Sequence, residues 1–236
     1  MDGYVDLVDA LLAFPSDKKE NVEEEKKSEV SALDLVISGD VNGLAKLLED
    51  NSDFAVNARN PKTGRSLLHE ACARGDMKVV KFMLQETDAD LTLRTMLGRC
   101  TALHLAVSNN YRSMVFLLLS NGADASSRDR FGRSPMHYVK SLSVAKLLIQ
   151  YGAKVLDYNA KRKHVVDSVT SSMEIIRKDQ SIPTDERDAA MEVYKALIKY
   201  LEKQAQTEYR IKLENLRQLK MQPKQKPIAF ATSIPR

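Results

Sequence analysis

The chain says nearly the same thing three times, and that periodicity restricts its fold more than any other feature. Ser66-Leu67-Leu68-His69 returns as Thr101-Ala102-Leu103-His104 and again as Ser134-Pro135-Met136-His137. His69 and His104 are 35 residues apart, His104 and His137 33. An apolar cluster follows each copy: Phe82-Met83-Leu84, Leu117-Leu118-Leu119 and Leu147-Leu148-Ile149. A period of this size marks stacked units, each too small to bury its own apolar face.

These residues resemble the ankyrin repeat, whose pattern is Thr-Pro-Leu-His, a small-residue helix, a Leu-Leu pair and a closing Gly-Ala. Asn121-Gly122-Ala123 and Tyr151-Gly152-Ala153 supply that closure. Weaker copies begin at Ser31-Ala32-Leu33-Asp34 and His164-Val165-Val166-Asp167, with Asp where the inner copies have His. The resemblance spans residues 30–180 and implies an all-α architecture: an α-solenoid of four or five repeats, the first and last degenerate. Each repeat is expected to run helix, tight turn, second helix and extended finger. Ala71, Ala73, Ala106 and Val107 are small enough to let first helices approach closely. The paired aliphatics bury in the second helices, each contributing roughly 1.5–3 kcal/mol. Gly75, Gly122 and Gly152 are expected at positive φ.

His69, His104 and His137 invite a metal or catalytic reading. The resemblance implies a structural one instead, with each ring hydrogen-bonding backbone between repeats. Stacked units would also hold the rings about 10 Å apart, too far for one ion. Cys72 reads as a small core residue; Cys100, beside Arg99, carries the open alternative of a reactive thiolate. The fourth repeat is clipped, with Leu147 and Leu148 only 10 and 11 residues after His137, where Leu118 and Leu119 stand 14 and 15 after His104. A helical turn is missing, which predicts a shortened inter-helix turn. The fifth has no Leu-Leu pair, so Met173, Ile175 and Ile176 are read as its second helix, and the regular stack is expected to fail there.

Outside the repeats the charge is uneven. Residues 1–30 hold nine acids against four bases, and residues 183–236 hold eleven bases against seven acids. Residues 1–29 read as a short amphipathic helix (Tyr4 to Phe14) and a charged linker. Pro183 and Thr184 open a helix over 181–221. Its apolar face is broad to Leu201, then narrows to a seam through Tyr209, Leu213 and Leu216. A broad face suits capping the last repeat and a narrow seam suits a coiled-coil partner. Residues 222–236 read as an extended tail. The acidic start predicts no secretory leader, and the longest apolar run, Met114 to Leu119, is too short to cross a bilayer. A soluble cytoplasmic protein is expected, with cytoskeletal or ciliary and nuclear residence as alternatives.

The resemblance places binding on the fingers, and these are basic. They carry Arg59, Lys62, Arg65, Arg94, Arg99, Arg128, Arg130, Arg133, Lys161, Arg162 and Lys163 against one acid, Asp129. Arg59, Arg94 and Arg128 are expected to form one column, and Arg65, Arg99 and Arg133, each after a glycine, a second. Guanidinium columns favour carboxylates or phosphates. The expected ligand is an acidic protein segment, with Phe131 and Tyr111 as further anchors. Nucleic acid is the weaker choice because no aromatic stacking set accompanies the bases. No cofactor and no catalytic constellation is found. The resulting expectation is a non-catalytic adaptor or scaffold, with a structural part of a large filament and a regulatory subunit of an enzyme complex as alternatives.

Overall fold

A computed structural model describes residues 31–50 and 55–221. The expected helix at Tyr4–Phe14, the charged linker and the tail over 222–236 lie outside those residues. The described residues belong to one compact unit. Its elements are α1 (Ala32–Ser38), α2 (Val41–Asp50), α3 (Leu67–Arg74), α4 (Met77–Glu86), α5 (Ala102–Ser108), α6 (Arg112–Ser120), a 3₁₀ turn (Pro135–Tyr138), α7 (Leu142–Gln150), α8 (Val165–Lys178) and α9 (Thr184–Met221).

Two rows result. First helices α1, α3, α5, the 3₁₀ turn and α8 pack in succession, and α2, α4, α6, α7 and α9 form the row behind them. Ala71 and Ala106 are fully buried in the first row; Leu118, Leu148 and Met83 are buried in the second. Ala73, expected in the same role, is half-buried. Gly75, Gly122 and Gly152 take φ of 81°, 90° and 88° at the turns.

The same device caps each inner repeat. Ser66 precedes α3, and His69 Nδ1 lies 2.6 Å from its hydroxyl and accepts the Ser66 backbone N–H. On its far side His69 Nε2 reaches the Cys100 carbonyl at 3.0 Å. A carbonyl can only accept, so Nε2 carries the proton and Nδ1 is the bare acceptor. His104 repeats this with Thr101 and the Arg133 carbonyl, 3.1 Å away. His137 keeps the near half with Ser134, and its buried Nε2 faces the Lys163 backbone without reaching good hydrogen-bond geometry. At the outer copies a carboxylate does the near half alone: Asp167 accepts the His164 N–H, and Asp34 accepts the Ser31 hydroxyl.

Two expectations about the degenerate repeats are corrected. In the fourth repeat the lost turn comes out of the first helix itself, which survives only as the 3₁₀ turn over Pro135–Tyr138. In the fifth, Met173, Ile175 and Ile176 do not make a second helix. No breaker separates them from Val165, so α8 runs unbroken through 14 residues, and Ile175 is 70% exposed. The second-helix position is taken by α9, whose Tyr194, Leu197 and Leu201 are buried with the core. The fifth repeat is thereby completed with α9 as its second helix. The break at 181 is a loop within it.

A second contact fixes α9. The second and third fingers are entered through Ala89-Asp90 and Ala123-Asp124, where Asp90 accepts the Thr92 N–H and Asp124 the Ser126 N–H. The corresponding step in the fourth repeat is Ala153-Lys154, which has no carboxylate. Glu208 of α9 supplies one, accepting the Val155 and Leu156 N–H groups at 2.9 and 3.0 Å. Beyond it, residues 209–218 are all exposed.

Two outcomes follow. Glu208→Ala should lower unfolding free energy by about 1–3 kcal/mol through two bared N–H groups and speed amide exchange at Val155 and Leu156; unchanged exchange there would contradict the clamp. The histidines set a pH dependence. Burial lowers the pKa of all three, that of His69 from 6.5 to about 4. The unfolded chain thus binds protons that the folded chain refuses. Stability should be full above pH 6.5 and fall between 6.5 and 5, before ordinary carboxylates titrate. A melting temperature flat over that interval would contradict it.

Candidate functional site: the row of fingers

Each finger is a short turn built on one polar hub. Asn60 accepts the N–H groups of Lys62 and Thr63, Thr95 that of Cys100, Asp129 those of Phe131 and Arg133, and Asn159 those of Lys161 and Lys163. Only one hub is an acid, and Asp129 is itself buried, taking a further hydrogen bond from the Tyr138 hydroxyl. Burial and that bond push the Tyr138 pKa up to about 12.

The column Arg59, Arg94, Arg128 forms as expected, and each guanidinium donates to backbone carbonyls while Arg59 and Arg128 stay exposed. Arg59 Nη1 donates to the Gly64 carbonyl of its own finger at 3.1 Å and to the Arg94 carbonyl of the next at 2.7 Å. Arg94 reaches the Arg99 and Arg128 carbonyls in the same way. Arg128 donates to Gly132 and Tyr158 and pairs with Asp157. These three guanidinium groups are stitches between fingers, a structural role beside the binding role expected of them.

The second column is corrected. Aligned on the helix caps Ser66, Thr101, Ser134 and His164, the residue before the cap is Arg65, Cys100, Arg133 and Lys163. Arg99 stands one place earlier, opposite Gly64 and Gly132. Those glycines take φ of 65° and 70°, and Arg99 takes 53°. In the fourth finger the same place holds Arg162, at φ 57°. A side chain in the left-handed region costs about 1–2 kcal/mol that glycine does not. Arg99 and Arg162 are both exposed, and among the described residues neither guanidinium is given a hydrogen bond or ion pair. Strain held at an exposed loop tip points toward function.

The other expected residues divide. Arg65 pairs with Glu70 at 3.4 Å. Arg133 lies over the Phe131 and Tyr138 rings, 5.1 and 5.6 Å from their centroids. Arg130 holds the Leu97 carbonyl at 2.8 Å and stays exposed, and Lys161 is exposed beside Arg162. Tyr111 does not join them: fingers feed the N-termini of first helices, whereas Tyr111 follows the C-terminus of α5 and packs over Gly75. Tyr209, Leu213 and Leu216 are exposed on α9 past the Glu208 clamp. The Cys100 thiol is pushed up, mainly by burial and then by Asp129, so it stays protonated near neutral pH. Met96 and Leu97 were missed. Both are prominently exposed, and an apolar pair inside a polar turn is a signal the sequence offered.

The family model for ankyrin repeats, three copies in length, matches residues 33–129 and again 68–161. The chain belongs to the ankyrin-repeat family. Ankyrin repeats are protein–protein interaction modules. The chain is 42% identical over 62 residues to a putative ankyrin repeat protein of Rickettsia bellii, covering 25% of this chain and 26% of that one. It is 36% identical over 99 residues to the B-cell lymphoma 3 protein homolog of Mus musculus, covering 39% of this chain and 22% of that one. It is 32% identical over 104 residues to the probable 26S proteasome regulatory subunit p28 of Saccharomyces cerevisiae, covering 42% and 45%. The chain thus spans less than half the length of each of these relatives. Among the described residues no group of His, Cys, Asp and Glu could hold a metal, and no helix is long and apolar enough to cross a membrane.

The two kinds of arginine should separate on substitution. Arg94→Ala removes a stitch between two fingers and should cost about 1–3 kcal/mol. Arg99→Gly relieves a left-handed side chain and should leave the denaturation midpoint unchanged or raised. The reverse order of midpoints in urea would contradict the assignment.

Proposed function

We propose that the protein is a non-catalytic adaptor that grips an acidic protein segment with its finger row and a second partner with the projecting end of α9. The observation that carries this is the pair Arg99 and Arg162, strained, exposed and given no internal carboxylate. A guanidinium takes a carboxylate bidentately and steers it from a distance, and the column of Arg59, Arg94 and Arg128 adds to the positive field at the same rim. On α9, the stripe of Tyr209, Leu213 and Leu216 recurs at helical spacing beyond the clamp. That geometry suits a partner helix.

The proposal is tested by affinity capture from cell extract, with the full chain and its Arg99→Glu, Arg162→Glu form as paired baits. Interactors bearing acidic segments should be lost from the variant while its melting temperature holds, since neither side chain supports the fold. An unchanged set of interactors would contradict the assignment of the fingers. Truncation after Gln204 would not serve as the control, because it removes Glu208 and its clamp.

A further inference from the structure

The finger row ends in apolar side chains that stay largely exposed, although Met96 rests against Gly64 of the first finger. At the second tip Leu97 is 74% and Met96 71% exposed; at the third Phe131 is 50% exposed. The two tips are bound together. The Arg130 N–H donates to the Gly98 carbonyl at 2.9 Å, and Arg130 Nη1 holds the Leu97 carbonyl at 2.8 Å. Arg130 and Arg133 also lie over the Phe131 ring, at 5.7 and 5.1 Å, while Arg99 stands two residues beyond Leu97. A single exposed aliphatic is ordinary. Three large apolar side chains on adjoining tips, with the Arg130 and Arg133 guanidinium groups over the Phe131 ring and Arg99 two residues from Leu97, form a patch of the kind that marks an interaction site.

The chemistry of the patch says what covers it. A second copy of the chain would bring the same cations against it. Single-stranded nucleic acid would want successive aromatic platforms, and here one ring stands beside two unbranched or branched aliphatics. A carboxylate-bearing peptide satisfies the cations, and a large apolar side chain satisfies the tips. Exposed charge pairs alone add little affinity, so burial of the apolar group must supply most of it.

We infer that Leu97 and Phe131, with Met96 beside them, seat an aromatic or large aliphatic side chain of an extended acidic peptide, whose flanking carboxylates take Arg99 and Arg130. The inference rests on the reading above that the fingers grip an acidic segment, and it adds the anchor that makes the grip selective.

The test uses the full chain and two labelled synthetic peptides of equal length and charge, followed by fluorescence anisotropy. One alternates acidic residues with Phe and Leu; the other has Ser in their places. The Phe/Leu peptide should bind at least about tenfold more tightly. The double variant Leu97→Ser, Phe131→Ser should lose that preference and bind the Ser peptide as the parent does, with its helical circular dichroism intact. Equal binding of both peptides by the parent would overturn the anchor while leaving the acidic-segment reading in place. A preference surviving in the variant would overturn it too. Binding of labelled oligouridylate with neither peptide bound would overturn both readings.

Discussion

Every repeat in this chain is finished by its neighbour. A helix pair of seven to ten residues each is too short to hold itself in water, and in the inner repeats the first-helix cap is a neutral imidazole whose second nitrogen must find a carbonyl in the next unit. Where that carbonyl is present, at Cys100 and Arg133, the fingers stack in register. Where the geometry changes, after His137, the contact to the Lys163 backbone is loosened, and the fourth repeat keeps only a 3₁₀ turn of its first helix. The arginine column works on the same principle, each guanidinium closing its own turn while holding the carbonyl of the next. Cooperation of this kind makes stability a property of the row.

That logic explains the C-terminal helix. The fifth first helix, α8, has no breaker to fold it back on itself, so the chain runs on until Pro183 and returns as α9. Tyr194, Leu197 and Leu201 then provide the apolar face that a second helix provides elsewhere. Glu208 provides the carboxylate that Lys154 does not. One helix thus completes the last repeat and, past Glu208, continues for about three turns in solvent.

Much of this was legible in the residues. Period, caps, the inter-repeat bonds of His69 and His104 and the small buried residues Ala71, Ala106 and Val107 are local chemistry, and they survive in the structure. The column of Arg59, Arg94 and Arg128 was legible as a column, but its stitching was not, because backbone carbonyls leave no mark in a sequence. Arg99 misled by following a glycine. The fingers differ by one residue in length, so alignment on Gly98 shifts it by one place from Gly132; alignment on the helix caps does not. The role of Glu208 lies 52 and 53 residues from its donors and needed coordinates.

The proposed binding depends on a division of the finger arginines into stitches held by backbone carbonyls and exposed groups that make no such bond among the described residues. Nitrogen-15 magnetic resonance of the guanidinium groups, reporting rotation about each Nε–Cζ bond in the unliganded chain, measures it most directly. Arg59, Arg94 and Arg128 should rotate slowly, held by two carbonyls each, while Arg99 and Arg162 rotate freely. Equal rotation rates across all five would contradict it.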